Sequence, residues 1–469
     1  MSQSKNSPPV WKKIYIYLLI IFFLFSNTKS FASISDFSIA DEAKLGKKFY
    51  FYLLTHYPII YDPYIQHYLN KLVSKIKKGL PPIPFDITIN LIYNKEINAF
   101  AGPGGHVFVN TGLVLAMENE AELASVLCHE FAHVTQRHIA QNIKRQKLLT
   151  VGSLVGILAG ALIGKSAGHA VAVGSMAGVQ SAMLKYTRAE EREADQVGIQ
   201  YLTKAGYPAS SMIEAFLKLK RHKTLSGENN IPPYFLTHPG IEERISYLKT
   251  MVKYLHNSNN GIKRNLNRDF DKVKALIIGH YSDKEAGLEL VKKLSGECEK
   301  RVATAILYSR NNMFNEAEKL FEDDLCQREL PYYFREKGRF YFQMGKLSIA
   351  LNYLNKAISI DSKDYFALYY RGRIYEALDE LKLALKDMEK ILEYVPHDSE
   401  IHMILGRIKG RLVGPFYGYI HYAYAELYKG NKNMMFKYYN RAKAMAKSEN
   451  EKNMLKEFYK KYQEVKELW

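Results

Sequence analysis

Three features of this 469-residue chain predict an α+β, mainly helical architecture. Apolar residues recur at helical spacing over long stretches, strict alternation is confined to a short region near 85–109, and glycines recur at a 34-residue interval beyond residue 330. The expected layout is a helical domain with a small β-sheet, then a solenoid of paired helices. A chain of this length has room for at least two full cores.

Along the chain, residues 1–32 have the layout of a secretory signal. Lys12 and Lys13 are followed by the apolar run Ile14 to Phe25, and Ser30-Phe31-Ala32 places small residues at the cleavage positions. The run is short for a bilayer span. The mature domain is expected over 33–255. Leu45, Leu53, Ile65, Leu69, Leu72 and Ile76 give 41–79 a helical period, which Pro81-Pro82 breaks. Phe85, Ile87, Ile89 and Leu91 alternate as in a strand. Pro103-Gly104-Gly105 makes a turn, and His106, Val107, Phe108 and Val109 form a second strand. Asn119 and Glu122 cap the helix that follows. Gly152, Gly156, Gly160, Gly164 and Gly168 mark 148–182 as a glycine-ladder segment. It reads as a packed hairpin, a lid or a peripheral membrane contact. A further helix carries Glu191 and Asp195.

His256 to Gly261 is polar and turn-forming, so 256–297 reads as linker and connecting helices. In 298–469, Gly338, Gly372 and Gly406 are in register, as are Tyr341 and Tyr375, Ala350 and Ala384, and Leu354 and Met388. A degenerate copy (Tyr308, Ala317, Phe321) precedes them, and Pro396 falls where a second helix should stop. This pattern resembles tetratricopeptide repeats. Stacked helix pairs leave a concave surface suited to protein partners.

The net charge of +18 is spread along the chain without a dense Lys/Arg cluster or nucleic-acid motif, so no nucleic-acid partner is expected. Of the three cysteines, Cys128 reads as a buried apolar filler, and Cys298 and Cys326 could pair in an oxidising compartment, a pairing the sequence leaves open.

The chemistry lies in His129-Glu130-Phe131-Ala132-His133. On a helix, residues four apart share a face, so both imidazoles can hold one zinc ion. Glu130 is rotated by about 100° and reaches the reacting water instead. A catalytic zinc takes three protein ligands and keeps one open position. Glu191 is the expected third ligand. Asp195, four residues on, would accept a hydrogen bond from a ligand imidazole and fix its tautomer. No third histidine stands at the later positions, where Gln136 and Ile139 are found. His138, rotated off the metal face of a continuing helix, reads as a surface histidine.

His129-Glu130-x-x-His133 followed by Glu191-x-x-x-Asp195 resembles the M48 zinc metallopeptidases, and Asn98 to His106 with Thr111-Gly112-Leu113 is similar to their strand-turn segment. The order of signal, protease and repeats is similar to the periplasmic BepA-like branch. The resemblance implies a zincin-like domain binding one Zn2+ through His129, His133 and Glu191, with Glu130 as general base. It implies that His106 to Val109 is an edge strand aligning extended substrate. Thr237-His238-Pro239 with Arg244-Ile245 resembles a histidine loop of that branch. His238 would then either stabilise the transition-state oxyanion or occupy the open zinc position. Periplasmic quality control of outer-membrane proteins is the implied role, with clients and assembly machinery met through the repeats. A chaperone or adaptor with restrained proteolysis is the alternative.

Overall fold

The computed structural model describes residues 37–146, 186–226, 232–255, 268–322, 326, 330–466 and 468. The signal segment 1–32, the glycine ladder 148–182 and the linker 256–261 lie outside the described residues.

The expected helical stretch 41–79 is two helices, α1 (Ile39–His56) and α2 (Pro63–Lys77), with the short strand β1 (Ile59–Ile60) between them. Pro58 and Pro63 account for the split. Neither has an N–H, and each forces the residue before it out of helical conformation. Asp62 then caps α2 by accepting from the N–H groups of Tyr64 and Ile65. Next come β2 (Thr88–Ile92), β3 (Ala99–Ala101), a turn of 3₁₀ helix at Pro103–Gly105 and β4 (His106–Asn110).

The sheet order is β1-β2-β4-β3, with β2 and β4 parallel and the other pairs antiparallel. This corrects the expectation for His106, Val107, Phe108 and Val109. Their strand is an interior one, hydrogen-bonded on both sides, and has no free edge to offer. Val107, Phe108 and Val109 are fully buried, as befits a strand covered on both faces. The edges of the sheet are β1 and, beside β4, β3. Gly102 N–H donates to His106 C=O and Asn110 N–H to Asn98 C=O. The even-numbered positions therefore face β4, and Ala99 and Ala101 turn their backbone groups the other way.

Helices α3 (Thr111–Ala116), α4 (Glu120–Thr135), α5 (His138–Gln146), α6 (Arg188–Lys204), α7 (Ser210–Ser226), α8 (Pro233–Thr237) and α9 (Ile241–Leu255) complete the first unit. Asn119 caps α4 as expected, accepting from Glu122 N–H at 3.0 Å. Every residue of α4 from Ala121 to Val134 is buried. It is the central helix, with β3 on one side and α6 crossing on another. Gly198 of α6 makes that crossing close: a Cβ there would lie 3.2 Å from the backbone of Cys128 and His129.

The second unit is a succession of helices: α10 (Arg268–Tyr281), α11 (Lys284–Val291), α12 (Glu297–Arg310), α13 (Phe314–Glu322), α14 (Tyr333–Gln343), α15 (Leu347–Ile360), α16 (Tyr365–Ala377), α17 (Leu381–Leu392), α18 (Ser399–Leu412), α19 (Pro415–Tyr428), α20 (Lys432–Met445) and α21 (Glu449–Lys466). The 34-residue glycines have one structural task. Each lies on the first helix of a pair, where a Cβ would collide with the residue sixteen positions on: Leu354 for Gly338, Met388 for Gly372, Tyr422 for Gly406. Asn312, Gly345 and Asp379 take left-handed φ values of 60°, 73° and 61° in the turns between paired helices. Cys298 and Cys326 form a disulfide that ties the start of α12 to the chain beyond α13. Cys128 is free and buried.

The two units share a core. One continuous cluster runs from Ile60 and Tyr68 through Leu127 and Phe216 to Phe270, Ile306 and Ile374. A buried ion network crosses the same junction. Arg335, 1% exposed, donates to Asp62 at 2.7 Å and to Glu336 at 2.9 Å, with Asp364 at 3.6 Å. At the far end, Phe51 of α1 packs in one cluster with Phe416, Ile420 and Leu427 of α19. The tail therefore meets the first unit again at its first helix.

Two outcomes follow. Arg335→Ala leaves Asp62 and Asp364 buried without their cation and should destabilise the chain by about 3–5 kcal/mol in a urea melt; a change below about 1 kcal/mol would show that the network does not support the junction. Denatured without reductant, the chain should yield one titratable thiol, and after reduction three. Three thiols before reduction would rule the disulfide out.

Candidate active site

His129, Glu130 and His133 project from the middle of α4, fully shielded from solvent. Helix α6 brings Glu191 and Asp195 against them, the chain after α8 brings His238, and α9 brings Arg244. The ligand atoms converge. His129 Nε2 lies 3.1 Å from His133 Nε2 and 3.3 Å from His238 Nδ1. Glu191 Oε1 is 2.9 Å from His238 Nδ1 and 3.5 Å from His133 Nε2, and Glu191 Oε2 is 3.6 Å from His129 Nε2. One ligand atom from each of His129, His133, Glu191 and His238 lies within 4.8 Å of all the others.

The chemistry of this donor set fits a cation. Asp195 Oδ1 lies 2.9 Å from His129 Nδ1 and, as an ionised carboxylate, can only accept. His129 therefore carries its proton on Nδ1, and its Nε2 lone pair points at the other ligand atoms. Glu130 Oε1 and His238 Nε2, 3.6 Å apart, are buried without hydrogen-bond partners. Lone pairs and a carboxylate facing one another out of water are stable only around positive charge.

Arg244 supplies part of that charge. Its guanidinium, held over the Phe216 ring at 4.4 Å, donates to Asp195 from Nε at 2.8 Å and from Nη2 at 2.6 Å, and its Nη1 lies 2.5 Å from Glu191 Oε2. Tyr247 also donates to Asp195. Burial alone would raise the pKa of Glu191, but Arg244 and His238 outweigh it and hold the carboxyl well below its usual range. The same cation outweighs burial at Asp195 and lowers its pKa. Burial, with Arg244 beside it, lowers the pKa of His129 and keeps that imidazole neutral. Burial lowers His133 further. Glu130 is different. Burial, assisted by the charge of Glu191, raises its pKa to about 7, although Ala101 N–H donates to its Oε2 at 3.1 Å.

The structure thus brings together Glu130, His129, His133, Glu191, Asp195 and His238, all named from the sequence. It corrects the reading of His138, which is fully buried with its Nδ1 2.8 Å from His133 Nδ1. Helix α4 stops at Thr135, and Arg137, at φ 55°, reverses the chain so that His138 folds back. Two neighbours escaped sequence reasoning. Tyr186 stacks on His133 at 3.8 Å between ring centres, Tyr234 stacks on His238 at 4.5 Å, and Tyr234 keeps a buried hydroxyl without a hydrogen-bond partner. Neither tyrosine carries a spacing signal. Arg244 was visible only as part of a loop resemblance.

Comparison with known proteins agrees with this geometry. Residues 61–252 match peptidase family M48. The chain is 32% identical over 297 residues to a putative beta-barrel assembly-enhancing protease of Vibrio cholerae, covering 61% of this chain and 60% of that one. It is 33% identical over 252 residues to the beta-barrel assembly-enhancing protease of Escherichia coli K12, covering 53% and 50%. The mitochondrial metalloendopeptidase OMA1 of Saccharomyces cerevisiae is 26% identical over 164 residues, 34% of this chain and 44% of that one. The chain spans between half and about 60% of the length of the beta-barrel assembly-enhancing proteases it matches. The H-E-x-x-H helix and the Glu191 helix both fall in the span 61–252 that matches peptidase family M48, and they meet in one buried site.

Proposed function

We propose that this protein is a periplasmic zinc endopeptidase acting in outer-membrane protein assembly. The observation that carries this reading is the convergence of His129 Nε2, His133 Nε2 and Glu191 beside Glu130. The names of its relatives, beta-barrel assembly-enhancing protease, supply the process. Degradation of stalled or misfolded outer-membrane proteins is the activity inferred from it. The signal-like residues 1–32 support export, and no described helix is long and apolar enough to cross a membrane. The helix pairs of 298–469 are read as tetratricopeptide repeats that meet clients or the assembly machinery.

His129, His133 and Glu191 would hold the metal, one zinc per chain. Bound there, zinc supplies Lewis acidity toward the scissile carbonyl and the attacking water. Asp195 holds His129 in the ligating tautomer, and Arg244 keeps Asp195 and Glu191 ionised. Glu130, with a pKa near neutrality, takes a proton on one carboxylate oxygen and returns it to the leaving amine. Its other oxygen is fixed by Ala101 N–H, which ties the base to the β3 edge.

His238 is read as a restraining fourth ligand, because its Nδ1 lies among the ligand atoms rather than across from them. This observation also favours the second reading, an adaptor whose repeats do the main work while proteolysis is held back.

Glu130→Gln should keep one zinc per chain and lower cleavage of an unfolded protein such as casein by about 10²–10⁴-fold; undiminished cleavage would remove Glu130 from the mechanism. Glu191→Ala should lose zinc on dialysis against a weak chelator, and tight retention would show that the third ligand lies elsewhere. His238→Ala should keep zinc and cleave faster than wild type. Slower cleavage with zinc retained would point to oxyanion stabilisation instead. In cells, a Glu130→Gln chain that sustains normal assembly would favour the adaptor reading.

A further inference from the structure

The geometry points to His138 and Glu193 as positioning residues that select the ligating tautomer of His133. The inference rests on the reading of His133 as a metal ligand. A metal-bound imidazole ordinarily donates its far N–H to a carboxylate or carbonyl oxygen. His129 follows that rule with Asp195. His133 does not: its Nδ1 faces the Nδ1 of another imidazole, His138, at 2.8 Å. Two ring nitrogens at that distance share one proton, and the direction of the bond must be set by something else.

Glu193 sets it. His138 Nε2 lies 3.3 Å from Glu193 Oε2, and a carboxylate accepts only. His138 therefore carries its own proton on Nε2 and presents a lone pair at Nδ1. That lone pair accepts the Nδ1–H of His133, which leaves the His133 Nε2 lone pair facing His129 Nε2 and Glu191. The reverse arrangement would place a hydrogen on His133 Nε2, between the ligand atoms, where no cation could be held. The side chain of His138 is fully shielded, whereas that of Glu193 is 52% exposed. A buried ligand is thus oriented by a carboxylate at the surface, through one intervening ring. The two carboxylates of the relay scheme also differ in kind: Asp195 acts directly on His129, and Glu193 acts on His133 at one remove.

The test is zinc affinity by chelator competition on the full chain, with the cobalt-substituted absorption spectrum as a second readout. His138→Leu removes the acceptor and should weaken zinc binding about 10–100-fold. His138→Asn, whose amide oxygen can stand near the Nδ1 position, should recover most of that loss and restore a wild-type cobalt spectrum. Glu193→Ala, at an exposed position that tolerates change, should fall between them. Wild-type affinity in His138→Leu would overturn the proposal. So would an Asn variant as weak as the Leu variant, since the ring would then serve only to fill space. If His138→Leu fails to fold, Glu193→Ala decides: unchanged affinity and spectrum overturn the relay. Failure of the wild-type chain to bind one zinc, or its indifference to Glu191→Ala, would instead overturn the site reading beneath it.

Discussion

Arg244 is the interaction on which the site depends. Helices α4 and α6 bury three carboxylates, Glu130, Glu191 and Asp195, within a few ångströms of one another. Each buried carboxylate costs several kcal/mol unless it is paired and hydrogen-bonded. A single guanidinium answers two of them, bidentate to Asp195 and against Glu191, with its flat face on Phe216. Only the planar fork of arginine serves both at once. What it leaves unanswered is Glu130, and that is the carboxylate with a pKa near 7. The division of labour among three chemically similar groups thus follows from which of them the arginine reaches.

The same device recurs at the junction with the helical tail. Arg335 gathers Asp62, Glu336 and Asp364 out of water, and His280 lies 2.9 Å from Glu336. Two of those carboxylates have a local task as well. Asp62 caps α2 and Asp364 caps α16, so one cation joins the first turns of helices from both units. Around it the apolar core continues without a break from the sheet to the repeats.

What could be read from the chain follows from how local each signal is. His129, Glu130 and His133 are fixed by helix geometry within one turn, and Glu191 and Asp195 by the same i, i+4 rule. The 34-residue glycines were legible because each meets a partner at a constant offset. Strand order was not legible: His106 to Val109 looks like any short apolar strand, and its interior place depends on β2 and β3 arriving on either side. His138 was misread for one backbone angle. Arg137 has no feature that announces a left-handed φ, yet that angle turns a helix face away from solvent and onto the site. Arg335, within Phe334-Arg335-Glu336-Lys337, carries no local signal of the burial that the fold imposes on it.

Helix α1 has a place in the molecule that its sequence does not suggest. Near its start Glu42 accepts from Arg137 at 2.8 Å, in the turn that returns His138 to the site. Gly46 lies directly against the Pro103–Gly105 turn, which leads into the strand beside β3. Further along, Phe51 packs in one apolar cluster with residues of α19 in the tail. The tail is therefore joined to the first unit at α1 as well as at the Arg335 junction. A pull exerted by a partner on α19 would be borne along α1, whose opposite end rests on the turn that returns His138 to the site.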